Sequence, residues 1–201
     1  MFVQVRDLEL THADVFRVQD VDSVLVRERR PSLYTLTEQA LEESKTLLQP
    51  ELVYRRLAVQ RVEHNRMQLD GGYSLKSKIL VERLAQAEYV YTVIGTVGKR
   101  ISERASLAMS ENQFAYGYAL DCCGTAALQK LAHQFTSWIE STSVPEGVKV
   151  SRRFSPGSHF WPVSQGQPEI FMILDDRNKI VRLTPSNQMI PIKSISFILG
   201  V

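Results

Sequence analysis

An α+β fold with antiparallel pairing is predicted by two features of this 201-residue chain. Strand-like runs come early and late, with helical patterns between them. An Asp-Gly turn between short apolar runs, "MQL" and "YSL", signals a hairpin, and a hairpin is antiparallel by construction. The composition, 44% hydrophobic and 23% charged, is that of an ordinary globular domain. A chain of this length buries a sizeable core without disulfides or metals. The expectation is one domain over residues 1–201.

The elements follow in order. "FVQVRDLEL" at 2–10 alternates as a strand does, and Thr11 is placed to cap a short helix over "HADVFRV". "RERRP" at 27–31 reads as a polar break. Residues 32–48 carry leucines and alanines at helical spacing, and Pro50 stops the run. "LVYRRLAVQRV" at 52–62 reads as strand, and 66–76 as the hairpin around Asp70, Gly71 and Gly72. A short amphipathic helix covers 77–87. "EYVYTVIGTVG" at 88–98 is β-branched, aromatic and closed by glycines, the strongest strand signal in the chain. Helices are expected over 99–109 and 113–140, then a loop, "STSVPEG". A short helix at 167–175 and two strands, "KIVRLT" and "KSISFILGV", close the chain.

Charge and cysteine content exclude some functions. Lys and Arg number 24 against 22 Asp and Glu, a net charge of +2. A general nucleic-acid or membrane-surface binder needs a basic excess, so neither is expected. The arginines of "RERR" and "YRR" are interleaved with acids and read as a solvated face. Cys122 and Cys123 are adjacent, a poor geometry for a mutual disulfide. They are expected to be reduced thiols in a cytoplasmic protein. No leader pattern opens the sequence, and no apolar run approaches the ~18 residues a span requires.

Three stretches invite chemistry. "VIGTVGKR" at 93–100 has the layout of a phosphate cradle, but only two residues separate Gly95 from Gly98, and Arg100 follows Lys99. A P-loop requires four residues and then Ser or Thr. A tight strand-to-helix turn is expected instead. "LDCCGTAALQ" at 120–129 makes a thin helix face. Its cysteines read as small buried hydrophobes, and Asp121 needs a partner, either a donor in the fold or a ligand. His12, His64, His133 and His159 show no metal-ligand spacing, and no nucleophile elbow is present.

The third stretch is "RRFSPGSHFWP" at 152–162. Pro156-Gly157 fits a turn in which Pro fixes φ and Gly takes the left-handed position. Such a turn can offer backbone N–H groups to an anion. Arg153 adds a planar fork suited to a carboxylate. Phe154, Phe160 and Trp161 can cover a flat apolar ligand part. The competing reading is a packed loop, with these aromatics in the core and Arg153 on a surface acid.

Taken with "LTPSNQMIPIKSIS" at 183–196, "LDCCGTAALQ" and "TVIGTVG", this loop resembles the activation domain of cobalamin-dependent methionine synthase. The resemblance covers about residues 76–201 in order. It implies a curved, mainly antiparallel sheet flanked by helices. It implies a domain that binds S-adenosylmethionine and docks on a cobalamin module while cob(II)alamin is reduced, with electrons from flavodoxin or a similar donor. The chain has no Asp-x-His-x-x-Gly motif, so its cobalamin would belong to a partner methyltransferase or corrinoid protein. The implied binding set is Arg153, Ser155, Pro156, Gly157, Ser158 and Gln129; no residue is assigned a catalytic or metal-binding role.

Three positions depart from the family pattern. Ser158 stands where a tyrosine is usual, Gln129 where a glutamate is usual, and Leu199 near an expected tyrosine. Losing one glutamate that faces a cationic group costs about 1.5–3 kcal/mol, or about tenfold to hundredfold in affinity. Two functional classes therefore stand. One is an accessory protein for methionine synthase reactivation that binds S-adenosylmethionine. The other is a non-catalytic binding or assembly module on the same fold that has lost that ligand.

Overall fold

The computed structural model describes residues 2–4, 8–142 and 149–201. A six-stranded sheet organises the chain. β1 (Phe2–Gln4), β2 (Glu51–Val62), β3 (Met67–Leu69), β4 (Ser74–Leu75), β5 (Tyr89–Thr96) and β8 (Ser194–Gly200) all pair antiparallel, in the order β4-β3-β2-β5-β8, with β1 also on β2. The sheet is curved and carries helices on both faces, the α+β architecture the sequence predicts. Between β5 and β8 come α5 (Arg100–Ser110), α6 (Phe114–Thr142) and α7 (Val163–Leu174). A separate two-stranded ribbon joins β6 (Arg182–Leu183) to β7 (Met189–Ile190).

Alternation along the central strands explains the two cores. In β2, Leu52 and Tyr54 point one way, Val53 and Leu57 the other; in β5, Tyr91 and Val93 oppose Val90 and Ile94. One face packs on α1 (His12–Val18), α3 (Pro31–Leu47), α5 and α6. The other packs on α4 (Lys78–Arg83) and α7. A sheet covered on both faces needs nearly continuous apolar strands, which is why β5 is buried over seven consecutive residues after Tyr89.

Local signals place most elements. Thr11 and Asp14 form a reciprocal capping box at the start of α1. Ser77 caps α4. Two expectations are corrected. The "RERRP" break is mostly helix: α2 (Ser23–Arg29) is capped by Asp22, and Pro31 opens α3 at a position where a missing N–H does no harm. "KIVRLT" does not join the main sheet; only Arg182 and Leu183 pair, and they pair with β7. Of the expected strand at 2–10, residues 2–4 are observed as β1, residues 8–10 form no strand, and residues 5–7 lie outside the described residues. The same is true of 143–148 in the loop after α6. Among the described residues, no helix is long and apolar enough to cross a membrane.

The α1–α3 contact has a titratable member. The His12 ring lies parallel to Tyr34 at 4.0 Å, and the Arg27 guanidinium lies 5.7 Å from the Tyr34 ring centroid. His12 Nε2 is buried without a hydrogen-bond partner among the described residues. Burial lowers the His12 pKa below 6.5, Glu38 opposes the shift, and Arg27 adds to it. The unfolded chain therefore binds the proton more readily. Stability is complete above 6.5 and declines as pH falls through that value towards the folded pKa. Melting temperature measured between neutral and mildly acidic pH is expected to fall more for the wild type than for His12→Phe, which keeps the stack without the charge.

Candidate functional site

The segment 151–154 runs along the outer edge of β8. Ser151 N–H donates to Gly200 O, and Phe154 and Ile198 exchange two backbone hydrogen bonds, both 2.9 Å. Neighbouring side chains of an extended segment point to opposite faces. Phe154, 5% exposed, thus enters the α7-side core with Ile198. Arg153 falls on the α6 side, its guanidinium 5.8 Å from the Phe197 ring centroid. Phe197 in turn meets Phe135 of α6. Arg153 is exposed and makes no ion pair among the described residues. Burial pulls its pKa down, and no carboxylate among the described residues acts on it.

The bend that follows is held internally. Gly157 takes φ of 109°, in the region that suits glycine. Its N–H donates to Trp161 O at 2.9 Å, and Trp161 N–H donates to Ser158 O at 3.1 Å. The expectation that this turn offers its N–H groups to an anion is therefore corrected at Gly157. The aromatics follow the packed-loop reading rather than covering a ligand. Trp161 is fully buried, with its Nε1–H on Glu169, and Phe160 packs against the same core. Phe154 and Trp161 form the floor of the bend, and a flat ligand does not meet them there. Pro156 rests on α7 at Gly166, where an added Cβ would lie 2.8 Å from Pro156 Cβ and from Trp161 Cε2. Gly166→Ala is expected to cost about 1–3 kcal/mol through overpacking, read as a lower urea midpoint with unchanged slope.

Two polar groups in the bend stay unpaired. Ser158 Oγ is buried with no hydrogen-bond partner among the described residues. Ser155 is exposed and likewise makes no side-chain hydrogen bond there.

The facing wall is α6. Asp121, Thr125 and Gln129 follow at four-residue steps, each about 6 Å along the axis, so they form one slowly turning strip. Lys193, just before β8, reaches that strip: its Nζ lies 2.9 Å from Asp121 Oδ1 and donates to Thr125 Oγ1 at 2.8 Å. Its stem crosses Gly124, where an added Cβ would stand 3.2 Å from Lys193 Cε. So Asp121 has a donor within the fold as its partner. The strip marked by Lys193 faces the β8 edge, the edge that carries Arg153. Gln129 is exposed on α6, and no hydrogen bond or ion pair joins it to Arg153. Leu199 is fully buried in the core.

Lys193 lies within the stretch "LTPSNQMIPIKSIS", yet no role is read for it from the sequence. Its side chain is 11% exposed and that of Asp121 is 45% exposed. Deleting the acid strands a nearly buried cation, whereas deleting the lysine leaves a half-solvated carboxylate. Urea denaturation is expected to show a loss of about 1–3 kcal/mol for Asp121→Ala and less for Lys193→Met.

Other sequence candidates resolve into structure. Gly95 lies inside β5 under Leu131, and Lys99 pairs with Glu103 at 3.1 Å, so no phosphate cradle forms. Cys122 and Cys123 are free and buried. Burial raises both thiols, Cys123 to about 12, so they are inert hydrophobes at neutral pH. Arg55 donates to Tyr73 and Ile173 O, and Arg56 stacks on Tyr89 at 3.6 Å. Among the described residues no cluster of metal-ligating side chains occurs.

The architecture defines an α+β domain whose curved antiparallel sheet carries a long helix on one face and an edge-strand loop beside it. Over its whole length the chain matches the crystal structure of the MetH reactivation domain bound to AdoHcy. The TM-score is 0.75 at 13% sequence identity, covering 77% of that chain. No family model and no curated protein matches the sequence. At this identity the likeness establishes the fold: it is that of the MetH reactivation domain, as the sequence resemblance implies.

Proposed function

We propose that the chain is a cytoplasmic accessory module that binds S-adenosylmethionine beside Arg153, on the α6 side of β8, and docks on a separate cobalamin-binding methyltransferase during reductive reactivation. The observation that carries this reading is the Arg153 guanidinium. It stands at the β8 edge without an acid partner among the described residues, in a fold whose solved counterpart holds AdoHcy. Arg153 takes the ligand carboxylate in a bidentate grip. Ser155 and Ser158 add donors from the bend that Pro156 and Gly157 shape, and Gln129 meets the ligand from α6. The methyl acceptor would be the partner's cobalamin, reduced by one electron from a flavodoxin-like donor; it would supply the methyl-accepting chemistry, leaving S-adenosylhomocysteine on this chain. The chain's own part is to bind and orient.

A second reading has its own support. Phe154 and Trp161 are committed to the core, and so is the Gly157 N–H, which leaves the loop little besides Arg153 and two serines for a ligand. On that reading the domain is a non-catalytic binding or assembly module.

Calorimetric titration separates the two. Saturable binding of S-adenosylmethionine or S-adenosylhomocysteine, weakened about tenfold or more by Arg153→Ala, is the outcome expected for the first reading. A flat titration at millimolar ligand contradicts it. Co-elution with a purified corrinoid protein regardless of ligand then supports the second.

A further inference from the structure

We infer that Phe197 is a positioning residue: its ring holds the Arg153 guanidinium on the α6 side of β8 while leaving the guanidinium N–H groups open to a ligand. This rests on the reading that Arg153 takes the ligand carboxylate. Leu199 and Phe197 flank Ile198 on the α6-side face of β8. Arg153, next to Phe154 on the adjoining edge, reaches the second of them, 5.8 Å from its ring centroid. A cation–π contact extends that far. The ring is a fixed platform. Phe197 is fully buried, and Phe135 of α6 meets it edge-on with centroids 6.2 Å apart. Phe135 is in turn packed against Tyr54 at 5.1 Å and Trp138 at 5.7 Å. Arg152 marks the contrast. Its guanidinium lies 5.2 Å over the ring of Phe154, on the α7 side. The neighbouring arginines thus divide between the two faces, and Arg153 is the one whose ring belongs to β8.

Lys193 and Arg153 are both held beside β8, but by partners that leave different groups free. Lys193 is held by a carboxylate, Asp121, at 2.9 Å, which engages its Nζ directly. Arg153 makes no ion pair among the described residues. A ring face attracts its charge without taking up the planar fork, which stays available to a carboxylate. A free arginine gives up side-chain freedom when it grips a ligand, and a guanidinium already resting on a ring gives up less. Such pre-organisation amounts to about threefold to tenfold in affinity.

Nuclear magnetic resonance and calorimetry of the full chain test the hold and its consequence separately. In the ligand-free protein, the Arg153 Nε–H proton, assigned by its loss in Arg153→Ala, is expected to be shifted upfield by the Phe197 ring and to return in Phe197→Leu. An unshifted resonance in the wild type overturns the hold whatever the ligand does, and that measurement needs no core variant to fold. Titration with S-adenosylhomocysteine is expected to be about threefold to tenfold weaker for Phe197→Leu, with no further loss when the same change is made in Arg153→Ala. A cooperative melting transition confirms that each variant folds. Equal affinity of the wild type and Phe197→Leu, or an equal loss with and without Arg153, overturns the positioning role and leaves the binding reading standing. If the wild type binds no S-adenosylhomocysteine, the binding reading falls and the positioning role falls with it.

Discussion

Two backbone hydrogen bonds between Phe154 and Ile198 decide which side of the sheet receives the guanidinium. They make 151–154 an added edge along β8, and an extended segment cannot send adjacent side chains to one face. Phe154 goes into the α7-side core, so Arg153 goes to the α6 side. A shift of this pairing by one residue would exchange them, burying a cation and exposing a phenylalanine. The register is held from both directions, by Phe154 in its core and by Ser151 on Gly200. The placement of the candidate site thus follows from the burial of a residue that takes no part in it.

The opposite wall depends on thinness. α6 carries the small buried residues Cys123, Gly124, Ala126 and Ala127; Gly124 lies against Ile101 of α5 and the Lys193 stem, and Leu131 sits directly on Gly95. Close approach leaves room for the Lys193 stem to cross the helix and reach Asp121 and Thr125. That strap fixes α6 against the start of β8 and consumes the one acid on the strip. The same ion pair leaves Asp121 with a partner inside the fold.

Much of this was legible in the sequence. The apolar run of β5, the Asp-Gly hairpin and the 3.6-residue pattern of α6 are local signals, and local signals survive without knowledge of the fold. α2 was hidden because seven residues are too few for a period, and its arginine-rich last turn looks like a loop. The β6–β7 ribbon was hidden because partner choice is tertiary. The loop at 152–162 was read for its residue types, which gave Arg153 and the Pro156-Gly157 bend. Its facing could not be read, because the direction of Phe154 is set by Ile198, some forty residues later. Ser158 and Gln129 were visible as substitutions, whereas the Lys193 strap appears only when β8 and α6 lie side by side.

Fold and chemistry enter the account with different weights. The α+β architecture stands on strand pairing and burial over the whole chain, and the likeness to the MetH reactivation domain agrees with it. The functional role hangs on where one unpaired guanidinium faces. A crystal structure of the complex with S-adenosylhomocysteine tests that most directly. The account predicts the ligand carboxylate within hydrogen-bonding distance of Arg153, on the α6 side of β8. A ligand lodged on the α7 side, or bound with its carboxylate away from Arg153, would contradict it.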